Sequence, residues 1–230
     1  FFLTNCNTEP EKKDIPKENQ IITPDFSADS AFAFVKKQTD FGPRVPNSEA
    51  HSLCADYLYK QLENYCDTVI IQQFTTKAYN GTTLNGKNII GSFGIGKTNR
   101  IVLAAHWDSR HVADHDPVVA NRNKPIDGAN DGASGVGVLL EIARQLSIKV
   151  PTVGIDIVFF DAEDYGVPEG VTAPDGEWWG LGSQYWAKNP HESGYRANYG
   201  ILLDMVGAED AVFHYEYFSS YYAQDVLTKI

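Results

Sequence analysis

Apolar positions change period several times along the chain, and the changes mark out elements. Over 27–38 the apolar residues Phe32, Phe34 and Val35 sit in a stretch that reads as a helix. Over 48–63 (SEAHSLCADYLYKQLE), Ala50, Leu53, Cys54, Tyr57, Leu58 and Leu62 recur at spacings of three and four, which predicts an amphipathic helix with these residues on one face. The run 68–76 (TVIIQQFTT) reads as a strand. Asn80-Gly81 reads as a turn leading into Thr83, Leu84, Asn88, Ile89 and Ile90, so a hairpin is predicted. Short apolar runs at 101–105 (IVLAA), 155–160 (IDIVFF) and 200–206 (GILLDMV) have the continuous hydrophobicity of strands buried on both faces. A helix is predicted over 134–146, where Val136, Leu139, Leu140, Ile142, Ala143 and Leu146 keep the helical spacing, and another begins within 182–187. Strands alternating with helices predict an α/β fold, a mixed and mostly parallel central sheet sandwiched by helices, over residues 25–230. There is no internal repeat. The glycines of 91–96 (GSFGIG) fall in the hairpin region rather than opening a helix, so they do not form a dinucleotide-binding turn.

Residues 1–24 show neither period and carry Pro10 and Pro16, which reads as a tether. Their start, Phe1-Phe2-Leu3-Thr4-Asn5-Cys6, resembles the end of a bacterial lipoprotein signal, where an apolar run meets a cysteine that becomes acylated. Residues 1–24 are therefore expected to be a signal remnant and flexible tether, with Cys6 a candidate lipid anchor. The chain begins with Phe1 and its single methionine is Met205, so its front is expected to be processed or incomplete.

Composition narrows the function. Acidic residues number 30 against 19 basic ones, a net charge of −11, which offers no surplus to neutralise phosphates and argues against a nucleic-acid partner. With 43% apolar and 12% aromatic residues the chain is not of a disordered type. No stretch reaches the roughly 18 uncharged apolar residues of a membrane span. A domain of this length buries roughly 70% of its unfolded surface and needs no disulfide staple. Cys54 reads as a small core residue. Cys66 lies just past the same helix, roughly 15 Å away if helix fills most of the interval, too far for a bridge.

The apolar runs end in ionisable residues. The first runs into His106-Trp107-Asp108, the second into Asp161-Ala162-Glu163-Asp164, the third into Asp204. Open α/β sheets bind ligands outside the carboxyl ends of their strands. Asp131 lies in a glycine-rich turn, 125–135 (PIDGANDGASG), ahead of a helix. A lone Asp at a strand end is commonly a cap or a surface charge. Several carboxylates at one rim repel and raise one another's pKa unless a cation is present. A metal resolves the conflict, and oxygen and imidazole ligands suit zinc. In Glu163-Asp164, adjacent side chains cannot both be ligands with the same geometry, so one is expected to bind metal and the other to handle protons.

Six stretches in order carry a resemblance: 105–110 (AHWDSR), 128–135 (GANDGASG), 159–164 (FFDAED), 203–207 (LDMVG), 41–46 (FGPRVP) and 179–186 (WGLGSQYW). Together they resemble the zinc aminopeptidase superfamily, and within it the zinc-dependent glutaminyl cyclases of the animal-like type found in some bacteria. The resemblance implies conversion of N-terminal glutamine to pyroglutamate, with release of ammonia, at one zinc ion. It implies Asp131, at a cis peptide, and Asp164 as metal ligands. Asp164 is a departure, since animal relatives usually carry Glu there. Glu163 matches the general acid/base and Asp204 a proton-network residue. The family's remaining ligand is a histidine with no counterpart here. His214 follows the Asp204 strand too soon, so that ligand is expected beyond Ile230. The fold is accordingly expected to be incomplete at its C-terminus, and a chain ending at Ile230 to hold zinc poorly and be inactive.

His106 has two readings. In a cyclase it is a packed histidine bonded to a neighbouring carboxylate; in a two-zinc aminopeptidase removing N-terminal residues, His106 and Asp204 are both ligands. A non-catalytic binding protein of the same fold is a third possibility, against which the Glu163-Asp164 pair argues. His106, Asp108, Trp178 and Trp179 are candidates for the pocket or its rim. Asp108 and Arg110 read as a structural pair, Trp186 as core, and His111 and His115 as solvated loop residues. The expected protein is a monomer, exported to the periplasm or anchored to the outer membrane of a bacterium, acting on peptides or proteins that begin with glutamine.

Overall fold

A computed structural model describes residues 24–229. The predicted tether and the Cys6 anchor lie outside these residues. The elements run α1 (Ala28–Thr39), α2 (Glu49–Tyr65), β1 (Thr68–Lys77), β2 (Thr83–Phe93), β3 (Arg100–His106), a 3-10 turn at Val119–Asn121, α3 (Ala133–Ile148), β4 (Gly154–Phe160), α4 (Leu181–Lys188), β5 (Gly200–Leu202), α5 (Tyr217–Tyr222) and α6 (Gln224–Leu227). Serine hydroxyls start the first two helices. Ser27 Oγ accepts from the Ser30 N–H at 3.1 Å, and Ser48 Oγ accepts from the His51 N–H at 3.1 Å. Among the described residues no helix is long and apolar enough to cross a membrane.

The sheet has the order β1-β2-β4-β3-β5 and is mixed, as expected. Its parallel part is the β4-β3-β5 half; β1-β2 and β2-β4 are antiparallel. Alternation along β4 divides the core. Ile155, Ile157 and Phe159 face α2 and α3, packing with Leu58, Leu62, Val136, Leu139 and Leu140, all fully buried but Ile155. Val158 and Phe160 face the other way, with Ile90, Val102 and Ala104, towards Trp186 of α4 and Tyr195. Trp186, predicted to be core, is only partly buried and packs against this cluster from outside. The free thiols of Cys54 and Cys66 are as predicted, Cys54 fully buried in the first cluster.

α1 reaches the fold through α3 rather than the sheet. Gly137 makes this possible, because a Cβ there would come within 2.8 Å of the Ala31 carbonyl and 2.6 Å of Val35.

Two further expectations need correction. Leu53 is not on the inner face of α2 but 48% exposed, and His51 takes the inward place at 2% exposure. The face is rotated because a polar group deep in the site, Asp161, offers His51 a partner. The predicted buried strand over 200–206 is a short edge strand, Gly200–Leu202, with Leu202 63% exposed. It pairs only with β3, so nothing among the described residues covers its outer side. Beyond it the chain turns away, with Met205 at φ +51° and the N–H groups of Val206 and Gly207 bonded to Ser134 Oγ (3.0 Å) and Asn130 Oδ1 (2.8 Å).

Candidate active site

Topology brings the ionisable residues together. β3 and β5 are parallel with Ala104 opposite Leu202, and the Leu203 N–H continues the ladder to the Ala104 carbonyl at 2.8 Å. Extending that register sets Asp204 beside His106, and their side chains lie 3.5 Å apart (Nε2–Oδ1). The turn before α3 supplies Asp131, whose Oδ1 is 2.9 Å from the same His106 Nε2. The Asp131–Gly132 peptide is cis, as the resemblance implied. Gly132 has to be glycine, since a Cβ there would lie 2.5 Å from the His106 ring and from its carbonyl oxygen.

Asp108 organises the third strand end. Its carboxylate, fully buried, accepts the N–H of Glu163 on Oδ1 and the N–H of Asp164 on Oδ2, each at 3.0 Å, and lies 3.4 Å from His106 Nδ1. One side chain therefore holds the backbone of both predicted functional residues. Asp161 anchors the same loop from beneath. It accepts from the Ala162 N–H (2.7 Å) and the Lys87 N–H (2.6 Å) and pairs with His51 Nε2 at 2.8 Å. These bonds hold Ala162 at φ +52°, a backbone conformation that costs a non-glycine residue of order 1–3 kcal/mol. His51 in turn stacks on fully buried Trp107, ring centroids 4.4 Å apart.

The cluster has little positive charge of its own. Burial, then repulsion from Asp131, Asp108 and Glu163, pushes Asp164 up to about 8. Burial, then Asp108, Asp204 and Asp131, pushes Glu163 up to about 7, although His106 opposes this. Burial alone would lower the His106 pKa, but the carboxylates of Asp108, Asp131 and Asp204 raise it well above the usual value. The Arg44 guanidinium is fully buried and donates to the carbonyls of Trp107 (3.0 Å), Asp127 (2.6 Å) and Gly128 (2.8 Å). It shapes the turn carrying Asp131 while adding a cation beneath the site. In the sequence, the FGPRVP stretch carries part of the resemblance, but nothing local marks Arg44 for this place.

A metal ion fits these residues. His106 Nε2 and Asp164 Oδ2 are buried and make no hydrogen bond, the 2.9 Å approach to Asp131 lacking hydrogen-bond geometry. Ligand atoms of His106, Asp131 and Asp204 all lie within 4.8 Å of one another. Carboxylate oxygens and an imidazole are a donor set that suits zinc. Among the described residues this trio, without Asp164, is the group gathered closely enough to share one ion. Asp164 reaches the cluster through its field on Asp131 and its unbonded Oδ2.

The rim differs from expectation in two places. Arg110 does not pair with Asp108; it grips Asp114 through two bonds (2.8 and 2.5 Å) and approaches Asp164, because Asp108 is consumed by the 163–164 backbone. His111 is not solvated but stacked on Tyr165, ring centroids 4.1 Å apart, with Nε2 3.2 Å from the Tyr79 hydroxyl. His115 is exposed, as expected, near Glu169. Trp179 borders the site beneath the Arg110 guanidinium at 4.8 Å, whereas Trp178 bonds within its own loop, to the Pro174 carbonyl at 2.9 Å.

Known proteins resemble this chain in sequence and fold. A sequence profile for Peptidase family M28 matches residues 88–229. The glutaminyl-peptide cyclotransferase of Drosophila melanogaster is 26% identical over 183 residues, 75% of this chain and 47% of that protein. The chain spans about half or less of the length of the curated relatives it matches. Among solved structures, the glutaminyl cyclase of Tannerella forsythia is 56% identical at a TM-score of 0.87, covering 90% of this chain and 71% of that one. A Zn-dependent exopeptidase from Parabacteroides distasonis is 54% identical at a TM-score of 0.88, covering 89% and 70%. The glutaminyl cyclase of Bacteroides thetaiotaomicron, bound to N-acetylhistamine, is 52% identical at 0.88, covering 90% and 71%. With the profile spanning more than half of its residues and the rim carboxylates arranged to receive a metal, the chain belongs to Peptidase family M28.

Proposed function

We propose that this chain carries the main part of the catalytic domain of a zinc-dependent glutaminyl cyclase, which converts N-terminal glutamine of peptides or proteins to pyroglutamate. One observation carries the reading. The adjacent residues Glu163 and Asp164, held by the single carboxylate of Asp108, are set up for different work. Asp164 presents a buried oxygen with no bonding partner. Glu163 titrates at about 7, where a carboxyl can both take and return a proton. The cyclases among the structural relatives, at half identity or more, support the same choice.

Asp131 and Asp164 would hold one zinc ion together with a further histidine. When bound, zinc supplies polarisation of the side-chain amide carbonyl of the substrate glutamine. Glu163 takes a proton from the α-amine as its nitrogen bonds to the amide carbon. The carbon–nitrogen bond to the amide group then breaks, and Glu163 returns the proton to the leaving ammonia. Asp204, beside His106, helps hold that proton network. Both reacting groups belong to one residue, so orientation against the rim at Trp179 is most of the task. Incubating the full-length protein with a glutamine-initiated peptide and following ammonia tests this. Release of free amino acids with no loss of ammonia would overturn it.

The gathering of His106, Asp131 and Asp204 favours a second reading, a two-zinc aminopeptidase with His106 and Asp204 as ligands. Two tightly bound zinc ions per chain would favour it over the cyclase. Export and acylation of Cys6 are proposed on the FFLTNC start alone; an intact-mass measurement on membrane-extracted protein tests both.

A further inference from the structure

Arg110 is 8% exposed and joins several parts of the rim. Asp114 fixes one edge of its guanidinium, with Nε to Oδ1 at 2.8 Å and Nη2 to Oδ2 at 2.5 Å. Asp114 is itself tied to the loop after β4, accepting the Glu169 N–H at 2.9 Å. The other edge faces Asp164. Nη1 donates to the Asp164 carbonyl at 3.3 Å and lies 3.5 Å from its Oδ1. Nη2 also reaches the Val167 carbonyl at 3.5 Å, and the guanidinium carbon lies over the Trp179 ring, 4.8 Å from its centroid.

Asp164 has a short side chain in a buried place, 5% exposed, and Arg110 is the cation beside it. Of its two oxygens, Oδ1 faces Arg110 and Oδ2 is left without a bond. A planar guanidinium clamped on one edge has no rotational freedom left, so it defines where Oδ1 sits and hence where Oδ2 is aimed. A lysine ammonium, a compact point charge, cannot grip Asp114 bidentately and serve Asp164 at once. We propose that Arg110, locked by Asp114, is a positioning residue that sets the Asp164 carboxylate for metal binding and holds Trp179 at the same rim. The proposal rests on Asp164 being a metal ligand in the function proposed above.

The test uses the full-length protein and its Arg110→Lys, Asp114→Asn, Asp164→Ala and Arg110→Lys/Asp164→Ala variants. Zinc affinity is measured by competition with a chromophoric chelator, and melting is followed on the metal-free proteins. Arg110→Lys is expected to weaken zinc about 10–100-fold, as loss of a residue orienting a ligand does, with little change in metal-free melting. Asp114→Asn should move affinity the same way. The double variant should bind zinc no more weakly than Asp164→Ala alone, because Arg110 acts through Asp164. Additive losses in the double variant, or unchanged affinity in Arg110→Lys while Asp164→Ala loses zinc, would overturn the proposal and leave the cyclase reading standing. Unchanged zinc affinity in Asp164→Ala would instead remove the ligand role on which both rest. If Arg110→Lys fails to fold, Asp114→Asn with and without Asp164→Ala carries the same comparison.

Discussion

β4 has carboxylate chemistry near each end, a single Asp156 near its start and the Glu163-Asp164 pair past its finish, and the two are built on opposite plans. Near its start, Asp156 is fully buried with every need met: Arg100 donates twice (2.8 and 2.6 Å), Ser92 once (2.6 Å) and Tyr195 once (2.6 Å). Burial would raise its pKa, but these partners carry it below the ordinary value. Past its other end, Glu163 and Asp164 share a backbone clamp, and the one guanidinium beside them, Arg110, spends its bidentate grip on Asp114, so their pKa values are pushed up to about 7 and about 8. The residue types are the same. The partners decide that Asp156 is a structural lock and the 163–164 pair a site waiting for charge from outside, whether a proton, a metal or a substrate amine.

Substitutions should separate the two ends. Glu163→Gln is expected to lower turnover by about 10²–10⁴-fold while zinc content stays unchanged, read by ammonia release and metal analysis; retained turnover would remove its proton role. Arg100→Ala leaves Asp156 buried without its cation and should cost about 3–5 kcal/mol in urea denaturation, with zinc affinity unaffected in the fraction that folds. A loss well under 1 kcal/mol would mean the start of β4 is not a lock. Zinc at 100 times its dissociation constant should stabilise the full-length protein by about 2.7 kcal/mol, seen as a lower melting temperature after chelation.

The pH dependence follows the same contrast. In the metal-free protein the folded pKa values of Glu163 and Asp164, about 7 and about 8, lie above the unfolded carboxyl values of roughly 4. The folded state holds the extra protons, so this contribution is complete below about pH 4 and is lost as pH rises through about 8. Metal-free melting should therefore fall between pH 5 and 8, and Glu163→Gln should flatten the slope; an unchanged slope would place the raised pKa elsewhere. The smallest effect belongs to Tyr195→Phe, about 1 kcal/mol, because Asp156 keeps its Arg100 and Ser92 bonds.

The strand ends were legible because buried parallel strands are plain apolar runs, and whatever ionisable residue follows such a run lies at the rim. That reasoning located His106, Asp108, Glu163, Asp164 and Asp204, and the glycine-rich turn added Asp131. It missed residues whose environment is made by distant segments. Arg44 looks like a loop arginine, yet it is fully buried against carbonyls of residues 107, 127 and 128. His51 reads as a polar position on an amphipathic helix, and only its partner Asp161 explains its burial. A lone histidine buried in place of Leu53 leaves no periodic signal.

The sequence by itself determined the order and type of the main elements from α1 to β5, the mixed α/β class and the rim where chemistry collects, because these follow from local periodicity and from the rule that strands end at ligand sites; the short helices α5 and α6 carried no such signal. Only the tertiary structure decided the partnerships: Asp108 with the 163–164 backbone rather than with Arg110, Arg110 with Asp114 and Asp164, and His106 with Asp131 and Asp204. Those choices depend on register and loop packing across distant parts of the chain. A carboxylate's pKa and role depend on which cation reaches it, and that is a property of the fold.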